Sequence, residues 1–153
     1  MTRRVYETDS DRKREEEVVD IIKEAWGCLV SKPLPHRYVV DRSISINNEL
    51  KCWIEIKNIS NKKSDFDEFH IASHKIINGI TKARSTNSKF FLFVRWDCLN
   101  NLNDVHYIEC CDKLFKTVKW GGRIKTARDN QDEELMVCIP HKNFKLLKRP
   151  SKS

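Results

Sequence analysis

No apolar run in these 153 residues approaches the length of a membrane-spanning helix, and the opening segment MTRRVYETDSDRKREEE is too charged for a secretory signal. The expectation is a soluble, cytoplasmic protein that does not engage a membrane. The six cysteines (28, 52, 98, 110, 111 and 138) contain no C-x-x-C spacing, which sets aside the common paired-cysteine metal and redox motifs. Cys52 and Cys138 fall in apolar strand patterns and read as reduced core residues. Cys110, Cys111 and His106 are zinc-ligand types, but their spacing is not diagnostic. The five histidines are scattered, and none stands with a cysteine or serine in a recognisable nucleophile arrangement. Repeats, heptads and low-complexity tracts are lacking too, so one globular unit is expected.

What the chain does have is a basic surplus. Its net charge is +7, from 29 Lys+Arg against 22 Asp+Glu. That balance favours a polyanion partner, although many basic proteins bind none. The length suits a single domain with a sizeable core. Residues 1–10 read as a flexible polar start, 11–147 as the domain and 148–153 as a basic tail.

The chemistry concentrates in Tyr38–Ile59, YVVDRSISINNELKCWIEIKNI. Tyr38–Ile46 is rich in β-branched and aromatic residues, and Leu50–Ile59 resumes the pattern after Asn47-Asn48-Glu49. Asparagine tolerates positive φ, so a hairpin is predicted. Alternation places Trp53, Glu55 and Lys57 on one face and Cys52, Ile54 and Ile56 on the other, which is expected to pack on the core. Asp41, on the partner strand, can approach Glu55. Two carboxylates held together repel, and burial raises the cost further. A divalent cation resolves both problems, and hard oxygen donors suit magnesium. Such an ion lowers the pKa of water and stabilises charge on a phosphate. Lys57 can then orient the attacking water or stabilise the transition state. A Glu-x-Lys strand is by itself commonly a solvated face with cross-strand pairs. The apolar residues around Glu55 and Lys57 instead point to a central strand.

Upstream, Asp11–Trp26 is predicted as a helix, capped by Ser10 or Asp11 and ended by Gly27. Its apolar stripe is Val18, Val19, Ile22 and Trp26. Glu15 sits at the inner edge of that stripe, with Glu16 and Glu17 progressively outward. Glu15 can reach the acid pair as a further ligand or supporting group, or can simply favour the helix dipole from solvent. Downstream, Phe66–Arg84 reads as a second helix, with Phe69, Ala72, Ile76, Ile80 and Ala83 on one side. Its other side carries His70, His74, Lys75 and Lys82. Lys75 can meet either a phosphate or the carboxylates. Lys89–Trp96 is a buried strand and Val105–Glu109 another. Residues 111–119 are ambiguous. Arg123, Lys125 and Arg128, in the polar segment after Trp120-Gly121-Gly122, can track a phosphate backbone. Leu135–Ile139 is a last strand, followed by a turn docked through Phe144 and Leu147.

This order, an acid-bearing helix, Asp41, Glu55-Ile56-Lys57 and a following helix, resembles the PD-(D/E)XK nuclease superfamily over roughly residues 11–110. Within it the chain is most similar to small phage-type nuclease proteins. The shared pieces are IEIK, His74-Lys75 and a late GGR…RD..D.E segment (Gly121-Gly122-Arg123, Arg128-Asp129, Asp132, Glu134) before Ile139-Pro140 and Phe144. The resemblance implies an α/β fold with a restriction-endonuclease-like core, a central mixed β-sheet flanked by helices. It implies Mg²⁺- or Mn²⁺-dependent hydrolysis of nucleic acid, with DNA the favoured partner and the host cytoplasm the setting if the chain is phage-encoded. Asp41, Glu55 and the Ile56 carbonyl would hold the metal, Lys57 would be the catalytic lysine and Glu15 the helix acid. Val40 stands where the family often has proline, and Asn58-Ile59 follow the lysine where relatives carry more basic residues. A junction resolvase would suit a homodimer. The rival expectations are a basic nucleic-acid-binding module without catalysis and a purely structural interaction protein.

Overall fold

Val18, Val19, Ile21 and Ile22 recur at helical spacing and are buried along one side of helix α1 (Asp9–Trp26). The computed structural model describes residues 9–35, 40–116, 118–122 and 133–148. Helix α1 already contains Ser10 and Asp11, the residues expected to cap it. It stops at Gly27, whose φ of 58° few other residues adopt, and whose N–H donates to the Lys23 carbonyl at 2.9 Å. Trp26 packs edge-on against Phe91, Phe93 and Tyr107.

Strand β1 (Leu29–Val30) pairs with β2 (Arg42–Ile46), and β2 forms the predicted hairpin with β3 (Glu49–Asn58). Asn47 and Asn48 turn it with φ of 53° and 64°, the double positive φ of a type I′ turn. The strand starts at Arg42, so Val40 and Asp41 precede it; Tyr38 lies outside the described residues.

The largest departure from expectation lies at Phe66–Arg84. Phe66 is exposed in a loop, and Glu68–Ala72 is strand β4; helix α2 begins only at Ser73 and runs to Ser85. Phe69 and Ile71 are two residues apart and both enter the core, a strand period, because β4 pairs antiparallel with β8 (Glu133–Pro140). His70 therefore belongs to a strand, not to the helix. The ambiguous stretch becomes a short 3-10 turn, Asp112–Lys116, and β7 (Val118–Gly122).

Strands β5 (Lys89–Arg95), β6 (His106–Glu109) and β9 (Lys145–Leu146) complete the main sheet, whose order is β1-β2-β3-β5-β6-β9. Its β3–β5 pair is parallel and its other pairs antiparallel, a mixed sheet as expected. A second sheet, β4-β8-β7, was not expected.

The hairpin's predicted core face is correct but incomplete. Cys52, Ile54 and Ile56 pack with α1 and Phe93, while Trp53 on the opposite face packs with α2, Phe69, Val137 and Ile139. Strand β3 is thus covered on both sides, and Glu55 and Lys57 share their face with a core rather than with open solvent. On α2, Gly79 lies against Phe90, and a Cβ there would stand 2.3 Å from the ring. Gly79→Ala is expected to cost about 1–3 kcal/mol by overpacking despite its better helix propensity, as urea melts would report.

Candidate active site

Pairing of β2 with β3 ends at Arg42 opposite Ile54. Asp41, one residue earlier, still donates its N–H to the Ile54 carbonyl at 3.0 Å. Its carboxylate Oδ2 then accepts the Ile56 N–H at 2.8 Å, substituting for a strand acceptor. The N–H and C=O of a residue leave a strand on the same edge, so the Ile56 carbonyl also leaves β3 on the Asp41 side.

Glu55, only 4% exposed, lies on the α2 side. Lys75 of α2 places Nζ 3.1 Å from Glu55 Oε1, and Lys57 places its own Nζ 3.8 Å from the same oxygen. The four predicted residues Asp41, Glu55, Lys57 and Lys75 are therefore brought together. Of the two partners open to Lys75, it meets the carboxylate.

The electrostatics follow from this crowding. Burial, and next the charge of Glu55, push the Asp41 carboxyl up to about 7, against the pull of the Ile56 N–H bond; Glu15 adds to the rise. Burial, and then Lys75, lower the Lys57 pKa, with Glu55 and Asp41 opposing. Burial works the same way on Lys75, but Glu55, the Lys57 contact and Asp41 outweigh it and its pKa is raised. The Asp41–Glu55 pair is thus an acid cluster in which Asp41 resists ionisation. Its donors are carboxylate and backbone oxygens, without sulfur or imidazole, and they fit a hard divalent cation such as Mg²⁺ or Mn²⁺.

Glu15 arrives through an intermediary that the sequence did not flag. Arg42, 3% exposed, donates Nη2 to Glu15 Oε2 at 2.7 Å and Nε to the same oxygen at 3.2 Å. The same Nη2 reaches Glu16 Oε1 at 2.7 Å. Glu15 is near enough to act on Asp41 but is committed to Arg42. Glu17 does not point further outward than Glu16: it accepts from Arg95 Nη1 at 2.9 Å. Arg95 is fully buried, with Nε on Asn58 Oδ1 at 2.8 Å and Nη2 on the Arg14 carbonyl at 3.3 Å. A basic residue inside each apolar strand run was the available signal for both arginines. A cleft of about 210 Å³ lies beside these pairs, lined by Asp11, Arg14, Glu15, Ile56, Lys57, Asn58 and Cys98.

Of the other expected contacts, Arg123, Lys125 and Arg128 lie outside the described residues. Cys110, Cys111 and His106 do not assemble, because His106 opens β6 while the two cysteines follow its end. No disulfide joins any of the six cysteines.

The raised Asp41 pKa has a sign that can be tested. Between the ordinary carboxyl value and about 7 the folded protein holds a proton that the unfolded chain releases. This group's contribution is therefore greatest at low pH and is lost as pH rises through that window. Metal-free Asp41→Asn is expected to melt higher than the parent at pH 8 but not at pH 4. The parent should gain more melting temperature from Mn²⁺ at pH 8 than at pH 5, and the variant little at either. Thermal melts with and without metal read both effects.

A family model described as "Phage putative PDDEXK endonuclease" matches residues 1–147. The chain belongs to this family. The fold of this PDDEXK family member is similar to the solved structure of Archaeoglobus fulgidus Hjc, a Holliday junction resolvase from an archaeal hyperthermophile. The TM-score is 0.52 at 9% identity, over 88% of this chain and 86% of that one. The likeness establishes the restriction-endonuclease-like fold, with its mixed central sheet and flanking helices. No protein of curated function matches the sequence. Among the described residues, no helix is long and apolar enough to cross a membrane.

Proposed function

We propose that this PDDEXK family member is a divalent-metal-dependent nuclease that hydrolyses phosphodiester bonds in DNA. The observation that carries the reading is half-buried Asp41 paired with buried Glu55 around the Ile56 backbone, with Lys57 beside them. Asp41, Glu55 and the Ile56 carbonyl would hold Mg²⁺ or Mn²⁺. The bound cation supplies Lewis acidity toward water and toward phosphate oxygens. Lys57 is 32% exposed and lines the cleft. Its lowered pKa makes the neutral amine more available, which suits it to orient the attacking water and take up a proton at Nζ; once protonated, it places positive charge beside the phosphoryl oxygens. Lys75 fixes the Glu55 carboxylate. Arg42 holds Glu15 close to the pair, where Glu15 acts as a supporting acid.

The +7 charge favours a polyanionic substrate. Arg123, Lys125 and Arg128 are assigned to the DNA backbone, as non-specific phosphate contacts. The similarity to a junction resolvase makes a four-way junction the first structured substrate to try, and a homodimer would present two sites to opposite strands. The family's phage description suits a role in repair, recombination or processing of phage DNA, in the host cytoplasm if the chain is phage-encoded.

The test is a labelled panel of linear duplex, single strand, nicked circle and four-way junction, with Mg²⁺, Mn²⁺ or EDTA. Cutting that requires metal supports the proposal and ranks the substrates. Salt-sensitive binding with no cutting in either metal would replace it with a non-catalytic binding module.

A further inference from the structure

Strand β4 and strand β8 lie antiparallel with His70 directly opposite Cys138 and Glu68 opposite Pro140. Their intervening residues, Phe69, Ile71, Val137 and Ile139, all enter the core. Alternation therefore puts Glu68, His70 and Cys138 together on the outer face of the second sheet. One carboxylate oxygen, one imidazole nitrogen and the thiol sulfur fall within 4.8 Å of one another. We propose that Glu68, His70 and Cys138 form a zinc-class metal site, separate from the Asp41–Glu55 pair and independent of the nuclease reading.

The ligand chemistry separates the two places. A thiolate and an imidazole favour borderline and soft ions, and magnesium binds neither well. Zinc bonds of about 2.0–2.3 Å in a tetrahedral centre leave ligand atoms about 3.3–3.8 Å apart. The present spacing needs a closure of about 1 Å, within reach of the rotatable Glu68 and His70 side chains. Cys138 is buried at 2% while His70 is exposed. The sulfur forms the floor of the site and the imidazole its rim. Glu68 and His70 also line a cavity of about 480 Å³ with Phe66, Phe69, Trp96 and His141, so two of the three ligands border open space. Thiolate and carboxylate together neutralise the ion's two charges. Binding releases the thiol proton and closes β4 onto β8. The chain passes from β4 directly into α2, so the ion would also anchor the start of the helix that carries Lys75.

The test uses the full chain, freed of metal with EDTA, reduced with a phosphine and titrated with Co²⁺ and then Zn²⁺. Expected are a near-ultraviolet sulfur-to-cobalt absorption saturating at one equivalent, its displacement by Zn²⁺, and its persistence in millimolar Mg²⁺. Cys138→Ser should abolish the band. His70→Ala, a change at an exposed position that leaves folding unaffected, should weaken Co²⁺ binding at least tenfold and remove any Zn²⁺-induced rise in melting temperature. Absence of the band, or a band of unchanged strength and affinity in His70→Ala, overturns the assignment. Persistence of the band in folded Cys138→Ser would assign the sulfur to another cysteine and overturns it equally.

Discussion

Lys57→Ala is expected to lose metal-dependent cleavage by about 10²–10⁴-fold, the usual loss when a positioned proton-transfer or charge-stabilising group is removed. The fold should survive. Lys57 is about one-third exposed, and its ionic contact with Glu55 spans 3.8 Å, while Lys75 keeps Glu55 paired at 3.1 Å. Circular dichroism and melting temperature should therefore match the parent closely. Salt-sensitive DNA binding should persist, since one of many cationic groups has gone. Single-turnover cleavage against binding separates the two effects. Cleavage within a few-fold of the parent would remove Lys57 from the mechanism. Lys75→Ala provides the complementary check. Lys75 lowers the Lys57 pKa, so removing it should raise that pKa and move the alkaline-favoured limb of the rate profile to higher pH.

Glu17→Ala is expected to be the more damaging change to stability, by about 3 kcal/mol or more. The reason is an asymmetry within the pair. Arg95 is fully buried, whereas the Glu17 side chain is 34% exposed. Deleting the acid strands a guanidinium between Asn58 and the Arg14 carbonyl with its anionic partner gone. Deleting the arginine leaves a carboxylate that water can reach. In a chain of this size the loss corresponds to about 10 °C of melting temperature. Glu17→Ala combined with Arg95→Met should recover part of it, because two apolar groups restore neutrality to the site. A double-mutant cycle in urea measures the coupling. A Glu17→Ala loss below about 1 kcal/mol would mean that the guanidinium finds adequate solvation without the acid.

Much of the fold was legible because the decisive interactions are local. Asn47-Asn48 supplies the positive φ of its own turn, Gly27 ends its own helix, and alternation along Trp53–Lys57 assigns faces without reference to anything distant. Strand β4 was misread for the converse reason. Phe69, Ala72, Ile76 and Ile80 satisfy a helical period, and Phe69 with Ile71 satisfies a strand period. What chooses between them is pairing with β8, far along the chain. The burial of both faces of β3 was hidden in the same way, since the second sheet that helps cover the Glu55 side is assembled from three separated segments.

The candidate site divides along the same line. The sequence by itself determined which groups the proposed chemistry would use, namely Asp41, Glu55 and Lys57 near the end of a hairpin, because strand geometry and residue type are encoded side by side. Only the tertiary structure decided their condition. It bound Asp41 to the Ile56 N–H, turned Lys75 onto Glu55, committed Glu15 to Arg42 and Glu17 to Arg95, and set the Asp41 carboxyl near 7. Desolvation and charge coupling depend on the sum of neighbours in space, and those neighbours come from α1, α2 and β5.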